Sequence, residues 1–395
     1  MLCSGGQTQL TLSSLSFFRT EELKIYKGSL LAECHKVESF LGEGGFGFVT
    51  KCHNLVTDKM EAIKVNKNHP SVFHQARAEI AILKRLQCLD PDTCNIVKWN
   101  GYFFDRDHVC LNFELLDQSL YSYMVGRDFR GLSMAELRPI LFQLATTLSH
   151  LRSMDIVHAD LKPDNVMIVD SKKQPLKVKL IDFGLARPVS AVEPGVCVQT
   201  TWYRAPEVML HLPFDEAIDV WSLGLVAAEL ATGSPLYPGD TEYDVLRFIL
   251  ETQGQPADDV LDRGMGTEYY FRKQRHGQQH WMFKSPEQFA YETGVCANET
   301  RCQRLKMLEL DPDQRIKPLE VLQHPFFAQS PPQNEQGWFM KTSSNPSGML
   351  RHIYVNSQKF LTVQPRGAWR STLESAAISG SSGEYVSLFG STHYG

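Results

Sequence analysis

Alternating and continuous apolar runs predict strands in the first third of the chain. Phe48–Cys52 and Met60–Val65 have strand-like composition and lie on either side of a polar turn at 57–59, which predicts a hairpin. Val109–Phe113 is an almost unbroken apolar run, so it predicts a buried strand that leads into the segment 114–116. The pattern therefore predicts a strand-rich part of the chain that ends near residue 113.

Helical spacing of apolar residues predicts the other long elements. The segment 76–89 has this spacing and places Glu79 on the inward face of a helix. Longer helices are predicted over 135–154 and 217–232. Residues 254–300 are polar and without clear periodicity, which predicts an irregular segment.

The composition is that of a globular protein, with 43% hydrophobic residues. The net charge of −5, from 40 basic and 45 acidic residues, argues against a general polyanion binder, so no direct contact with nucleic acid is expected. The sequence has no long apolar run that predicts a membrane-spanning helix, and residues 1–6 do not have the pattern of a secretory signal. Nine cysteines without a C-x-x-C pair favour a reducing compartment, which predicts an intracellular protein of the nucleus, the cytoplasm or both.

The most informative chemistry lies in the run VHADLKPDN at 157–165, followed by Asp182 seventeen residues beyond Asn165 (182 − 165). Phosphoryl transfer needs a base for the acceptor hydroxyl, a cation for the phosphate and oxygen ligands for Mg²⁺. Asp160 and Lys162 are candidates for the first two roles, and Asn165 and Asp182 for the metal ligands. The spacing thus predicts a phosphoryl-transfer site.

The same chemistry requires a nucleotide site upstream, and a run that fits G-x-G-x-x-G-x-V is present there. Glycines let the backbone approach phosphate oxygens closely and donate N–H groups to them. The predicted contacts of this loop are Leu41, Gly42, Glu43, Gly44, Gly45, Phe46, Gly47, Phe48 and Val49. A similar run opens a helix in dinucleotide-binding units, but the strands expected here indicate a hairpin lid instead. Lys64 follows in a V-A-I-K-like context, and Glu79 is the expected partner that orients it.

These motifs together resemble the eukaryotic protein kinases over about residues 35–328. Ala205–Glu207, Asp219–Gly224 and Asp311–Ile316 support the likeness, which also implies an ion pair between Glu207 and Arg315. The resemblance implies an α+β, bilobal fold with a small β-rich N-lobe and a larger, mainly α-helical C-lobe. It also implies ATP and Mg²⁺ as cofactors and protein serine or threonine hydroxyls as acceptors.

The resemblance extends to individual positions. Asp160, Lys162, Asn165, Lys64 and Glu79 are the implied catalytic residues, and Asn165 and Asp182 the implied metal ligands. Further nucleotide contacts are implied for Ala62, Lys64, Glu114 and Leu116, with Phe113 at the gatekeeper position. Thr200 is expected to bridge Lys162 and Asp160, and His158 to pack behind Phe183.

Finer matches lie at Ala159, at Trp202–Arg204, at Tyr237–Gly254 and at Lys64–Ser71. In these the chain resembles the homeodomain-interacting protein kinases, near the dual-specificity tyrosine-regulated kinases. That branch implies a proline-directed preference and substrates that include transcription regulators. Two departures matter: Ala159 replaces the usual arginine before Asp160, and Cys197 stands where close relatives have an autophosphorylated tyrosine. The hypothesis is a kinase that is active without tyrosine phosphorylation. Arg204 is expected either to shape the substrate pocket or to be a buried structural arginine.

The predicted organisation is an N-terminal extension at 1–34, a kinase domain at 35–328 and a Ser/Gly-rich, disordered tail at 329–395. Two other functions stay open. The altered activation segment is compatible with a pseudokinase or scaffold that binds nucleotide and partners without phosphate transfer. The shared phosphate chemistry also fits a small-molecule kinase, although Ala205–Glu207 speaks against it. The sequence predicts no oligomeric state.

Overall fold

An antiparallel sheet with the strand order β1-β2-β3-β4-β6-β5 forms the first lobe. The computed structural model describes residues 25–274 and 280–297. The strands are β1 (Leu30–Leu31), β2 (His35–Gly44), β3 (Gly47–Asn54), β4 (Lys59–Asn66), β5 (Trp99–Asp105) and β6 (His108–Glu114). The predicted hairpin is confirmed, because β3 pairs with β4 in continuous register from Gly47↔Asn66 to Asn54↔Lys59.

Side chains alternate across this sheet and give it two different faces. One face has its own small core, made of Leu31, Val37, Cys52, Ile63, Val65 and Cys110. The other face of β4 carries Ala62 and Lys64, both half-buried. β1 belongs to the same sheet, so residues 30–31 of the predicted N-terminal extension pair with β2.

One long helix, α1 (Pro70–Leu86), connects β4 to β5. Pro70 occupies its first turn, where a missing N–H is tolerated, and the His69 ring accepts a hydrogen bond from the Ser71 N–H as the cap. Its buried residues are Val72, Ala76, Glu79, Ile82, Leu83 and Leu86. The helix predicted over 76–89 is therefore confirmed, with an earlier start.

The second lobe is built on two long helices, α3 (Met134–Ser153) and α5 (Ala217–Thr232), as predicted. A three-stranded sheet, in the order β10-β9-β7, carries the loop that holds the chemistry. The smaller elements up to residue 188 are β7 (Gln118–Ser119), α2 (Leu120–Val125), β8 (Ile156–Val157), β9 (Val166–Asp170), β10 (Gln174–Leu180) and β11 (Arg187–Pro188). α4 (Pro206–Met209) and α6 (Glu242–Gln253) follow.

The prediction that residues 254–300 are irregular is wrong for the part that the structure describes. That part contains α7 (Asp258–Arg263), α8 (Thr267–Tyr270), β12 (Phe271–Lys273), β13 (Trp281–Phe283) and α9 (Pro286–Thr293). Aromatic residues spaced singly along a polar stretch meet in space, since Tyr243 of α6 stacks on Phe283 and Phe289 at 4.8 and 4.1 Å between ring centroids. The elements are too short to show a period in the sequence, which explains the error.

Several predictions fall outside the described residues. These are the Glu207–Arg315 ion pair, the Asp311–Ile316 motif and the disordered tail at 329–395. Within the described residues, no helix is both long and apolar enough to span a membrane.

Candidate active site

Lys64 lies between two carboxylates in the cleft. Its Nζ is 2.9 Å from both oxygens of Glu79 and 2.9 Å from Oδ1 of Asp182. Burial opposes the charge on Lys64, but the two carboxylates outweigh that effect and raise the pKa of the ammonium. Desolvation likewise opposes the charge on Asp182, yet the lysine lowers the pKa of that carboxyl. Burial raises the pKa of Glu79, and the Lys64 charge opposes that rise. Contacts of Lys64 with the two carboxylates thus join β4, α1 and the segment after β10.

A second cluster surrounds Asp160. The Thr200 hydroxyl donates to Asp160, with 2.8 Å between Oγ1 and Oδ1, and Lys162 Nζ donates to the same hydroxyl at 2.7 Å. Lys162 Nζ also lies 3.0 Å from Asp160 Oδ2, which accepts a 3.0 Å hydrogen bond from the Asn165 amide. Thr200 therefore bridges the lysine and the aspartate, in the arrangement expected from the sequence.

Buried backbone contacts hold this loop in place. Asp219 of α5 is 1% exposed and accepts hydrogen bonds from the backbone N–H groups of His158 (2.7 Å) and Ala159 (2.9 Å). Burial raises the pKa of Asp219, and the two N–H groups oppose that rise. His158 packs edge-on against Phe183 with 5.1 Å between ring centroids, in the place the sequence predicted.

Left-handed backbone marks three points around the cleft. Ala159, Asp182 and Gln199 have φ values of 63°, 58° and 66°. Such angles are uncommon for residues other than glycine, and they persist where the surrounding structure enforces them. The strain redirects the chain immediately before Asp160, at Asp182 and immediately before Thr200.

The donor set fits a hard cation. All contacts that the described residues make with the Asp182 carboxylate fall on Oδ1, which leaves Oδ2 available. The Asn165 amide nitrogen donates to Asp160, so its carbonyl oxygen faces elsewhere. Carboxylate and amide oxygens are the ligands that Mg²⁺ and similar cations prefer. These two oxygens are the atoms that would hold a divalent metal.

The glycine-rich loop at 41–49 comprises the end of β2, the turn at 45–46 and the start of β3. A Cβ at Gly47 would lie 2.1 Å from the Val65 carbonyl oxygen, so only glycine fits there. Gly42, Gly44 and Gly45 have open space where a Cβ would stand. Leu41 and Phe46 are 51% and 43% exposed, an arrangement suited to covering a ligand.

The remaining predicted nucleotide contacts lie around the end of β6. Ala62 pairs with Phe113 in register, which places the gatekeeper position beside the strand that carries Lys64. Glu114 and Leu116 follow directly, the first half-buried and the second buried. The strand pairing therefore brings the segment 114–116, which we call the hinge, beside the strand that carries Lys64. The contacts of these residues and of the glycine-rich loop with a nucleotide stay predictions.

Arg204 is a buried residue that organises the activation segment. Its guanidinium donates to the carbonyl oxygens of Val198 (2.8 Å) and Gln199 (2.6 Å) and to the carboxylate of Glu242. It contacts the backbone next to Thr200, so the structural role is confirmed, whereas its part in shaping a substrate pocket stays a prediction. Cys197, two residues before Gln199, is exposed.

Sequence reasoning missed several residues that support the site. Asp219, Lys179 and Glu242 had no role assigned, although each makes a buried contact with a predicted element. Asp219 could have been found, because it is the first residue of the kinase-like motif Asp219–Gly224. For Lys179 and Glu242 no local signal existed, because their partners lie 65 and 38 residues away.

Comparison with known proteins agrees with this geometry. A model of the protein kinase domain matches residues 35–327, so the chain belongs to the protein kinases. It is 40% identical over 336 residues to mouse homeodomain-interacting protein kinase 1, an alignment that covers 76% of this chain and 28% of that protein. The Caenorhabditis elegans homeodomain-interacting protein kinase 1 is 38% identical over 336 residues, covering 74% of this chain and 40% of the relative. Human homeodomain-interacting protein kinase 4 is 39% identical over 283 residues, an alignment that covers 70% of this chain and 46% of that protein. The chain spans less than half the length of each of these relatives.

Proposed function

We propose that this chain transfers the γ-phosphate of Mg·ATP to serine and threonine hydroxyls of proteins. The observation that carries the proposal is the convergence of Lys162, Asn165 and Thr200 on the Asp160 carboxylate, with contact distances of 2.7–3.0 Å among them. A carboxylate held in this way is positioned to act on an acceptor hydroxyl.

Each residue has a distinct part in the proposed reaction. Asp160 orients the acceptor hydroxyl and accepts its proton, which typically contributes about 10²–10⁴-fold in rate. Lys162 stabilises the charge that develops on the transferred phosphoryl group. Lys64 contacts the α- and β-phosphates, and Glu79 keeps its ammonium pointed into the cleft through two 2.9 Å hydrogen bonds.

The cofactors are held by groups already in place. Asn165 and Asp182 supply oxygen ligands for Mg²⁺, which neutralises phosphate charge when it is bound. The loop at 41–49 covers the nucleotide, and Ala62, Glu114 and Leu116 enclose its base.

Activity without tyrosine phosphorylation is part of the proposal. Cys197 has no hydroxyl to accept a phosphate, and the carboxylate of Glu242 already neutralises Arg204. A proline-directed preference also has support, since Arg204 occupies the carbonyl oxygens of Val198 and Gln199. The substrate residue after the phosphorylated serine or threonine would find no free carbonyl oxygen there to accept a hydrogen bond from its backbone N–H. Proline has no backbone N–H, so it would lose nothing at this position.

Substrates are proposed more broadly. The names of the relatives describe kinases that interact with homeodomain proteins, which makes transcription regulators a reasonable first set of protein substrates to test. The nuclear or cytoplasmic location expected from the cysteines stays a prediction.

The test is phosphate transfer from Mg·ATP to a serine/threonine peptide library, with wild type, Asp160→Asn and the exposed-site control Asp58→Asn. The Asp58 side chain is 92% exposed, so its variant should match wild type. The proposal expects transfer by wild type, loss of about 10²-fold or more in Asp160→Asn, and enrichment of proline after the acceptor.

Other outcomes separate the alternatives. If the proteins bind nucleotide but none of the three, wild type included, transfers phosphate, the result would favour the scaffold. Transfer to sugars or aminoglycosides but to no peptide would favour a small-molecule kinase. Loss of wild-type activity after phosphatase treatment would overturn the phosphorylation-independent part alone.

A further inference from the structure

Lys179 is a buried lysine that the proposed reaction does not use. It lies in β10, three residues before Asp182 (182 − 179), and is 1% exposed. A buried ammonium is costly unless carboxylates and hydrogen bonds compensate for the lost water. Its partners therefore indicate why a charge is placed there.

Two carboxylates contact Lys179, and they differ in environment. Its Nζ is 2.7 Å from Oε1 of Glu114 and 2.7 Å from Oδ1 of Asp92. The Asp92 side chain is 77% exposed, whereas that of Glu114 is 25% exposed. Water screens the first ion pair far more than the second. The Lys179 ammonium therefore interacts more strongly with Glu114, the first residue of the hinge, than with Asp92.

Glu114 in turn fixes the neighbouring chain. Its Oε1 also accepts a 2.7 Å hydrogen bond from the Lys98 N–H, and its own N–H donates to the Lys98 carbonyl at 3.0 Å. The segment before Lys98 is bound to β10 as well, through Val97 N–H to Leu180 O (3.0 Å) and Leu180 N–H to Asn95 O (2.9 Å). The hinge is therefore attached to β10 directly by the contact between Glu114 and Lys179, and indirectly by the backbone of residues 95–98.

The same strand continues into the phosphate end of the cleft. Ile181 donates its N–H to the Asn165 carbonyl at 2.9 Å, and its carbonyl lies 3.0 Å from His158 Nε2. The next residue, Asp182, contacts Lys64. Four consecutive residues, 179–182, thus connect the hinge to the metal-ligand and phosphate groups.

We propose that Lys179 is a positioning residue for nucleotide binding, which acts by fixing Glu114 and the hinge at a set distance from Asp182. The inference rests on the proposed function in one respect: Glu114 and Leu116 must contact the base of the nucleotide. Lys179 itself does not touch the nucleotide.

The experiment compares wild type, Lys179→Met and Glu114→Gln with two controls. Lys173→Met removes a lysine whose side chain is 85% exposed, from the turn that leads into β10, and Asp92→Asn removes the exposed partner of Lys179. Calorimetry measures the Kd for Mg·ATP, and peptide kinetics give KM for ATP, KM for peptide and kcat. Thermal unfolding without nucleotide shows whether each variant is folded.

We expect Lys179→Met to raise the Kd and KM for ATP about tenfold. Its kcat and KM for peptide should stay within about twofold of wild type, because the groups that act on the acceptor are untouched. Both controls should match wild type in every parameter. The double variant Lys179→Met/Glu114→Gln should bind ATP no more weakly than the weaker single variant, because the two side chains act as one unit.

Several results would overturn the inference. These are an unchanged Kd for ATP in folded Lys179→Met, an equal loss in Asp92→Asn, or independent effects that multiply in the double variant. If Glu114→Gln has the greater effect and Lys179→Met has none, Glu114 acts without the lysine. Wild type that binds ATP without transferring phosphate would end the proposed function, while weaker ATP binding by Lys179→Met would still support the positioning role. Wild type that binds no ATP would overturn both.

Discussion

Arg204 and Glu242 form an ion pair that joins the activation segment to α6. The Tyr270 hydroxyl donates to the other oxygen of Glu242 at 2.7 Å and so fixes the carboxylate. The Arg204 side chain is 9% exposed and that of Glu242 is 32% exposed, so the arginine is buried and the carboxylate is partly in contact with water. An internal carboxylate thus neutralises the arginine that holds the backbone beside Thr200, and a phosphate is not needed for this purpose.

Removing that carboxylate should impair peptide phosphorylation. Glu242→Gln leaves the Arg204 charge without its anion, which we expect to lower kcat/KM for peptide about tenfold, less than the loss typical of a fully buried pair. Tyr270→Phe should cost about 2–5-fold, since one hydrogen bond is lost. Steady-state kinetics measure both effects, and Glu251→Gln, at an exposed position of α6, is the control. Wild-type rates in Glu242→Gln would show that the pair is dispensable.

The Thr200 hydroxyl should matter for chemistry more than for folding. Thr200→Val keeps the shape but removes the bridge between Lys162 and Asp160, so kcat should fall about tenfold or more. ATP binding and thermal stability should change little. The matched control is Thr201→Val, because in the part of the chain that the structure describes its side chain makes no hydrogen bond to Asp160, and it is half-buried in the same turn. An equal loss in the two variants would point to a general effect on the activation segment.

The glycine-rich loop should tolerate alanine at one position and not at another. A Cβ at position 47 would lie 2.1 Å from the Val65 carbonyl oxygen and clash with it. A Cβ at position 44 would have no other atom within 4 Å. Gly47→Ala should lower the free energy of unfolding by about 1–3 kcal/mol, and Gly44→Ala should change it by less than about 0.5 kcal/mol. Chemical denaturation of the two variants checks this difference, and equal stabilities would contradict it.

Glu229 should make stability depend on pH. It is 5% exposed, and its Oε2 accepts a 2.6 Å hydrogen bond from the Tyr203 hydroxyl. Burial raises the pKa of Glu229 above 4.5, and the hydrogen bond from Tyr203 only partly opposes the rise. The folded protein therefore holds the proton more tightly than the unfolded chain, so stability declines as pH rises from about 4.5 through the higher folded pKa.

Glu229→Gln removes this titration and keeps an acceptor for Tyr203. We expect the variant to gain stability relative to wild type as pH rises from 4 to 7, and the change to be absent in the exposed control Glu251→Gln. Denaturation curves at several pH values measure the difference. A constant difference between Glu229→Gln and wild type over this range would contradict the assignment.

Much of the site follows from short motifs. Asp160, Lys162 and Asn165 lie within six residues of each other, and one loop brings them together whatever the rest of the fold does. The β3–β4 hairpin that follows the glycine-rich loop and the long helices were also predictable, because each has a period or a turn that local chemistry dictates. Glu79 was found because its helix has a clear inward face.

Contacts between distant segments were decided only by the tertiary structure. Nothing near Lys179 or Glu242 in the chain indicates the partners Glu114 and Arg204, since charge pairing across a core depends on how the elements pack. The aromatic residues of 254–297 pack on one another and on Tyr243 of α6, and neither set of contacts has a signal in the local sequence. Local motifs therefore determined which groups are proposed to do the chemistry, whereas folding decided which buried charges hold those groups in position, because burial and pairing are properties of the packed chain.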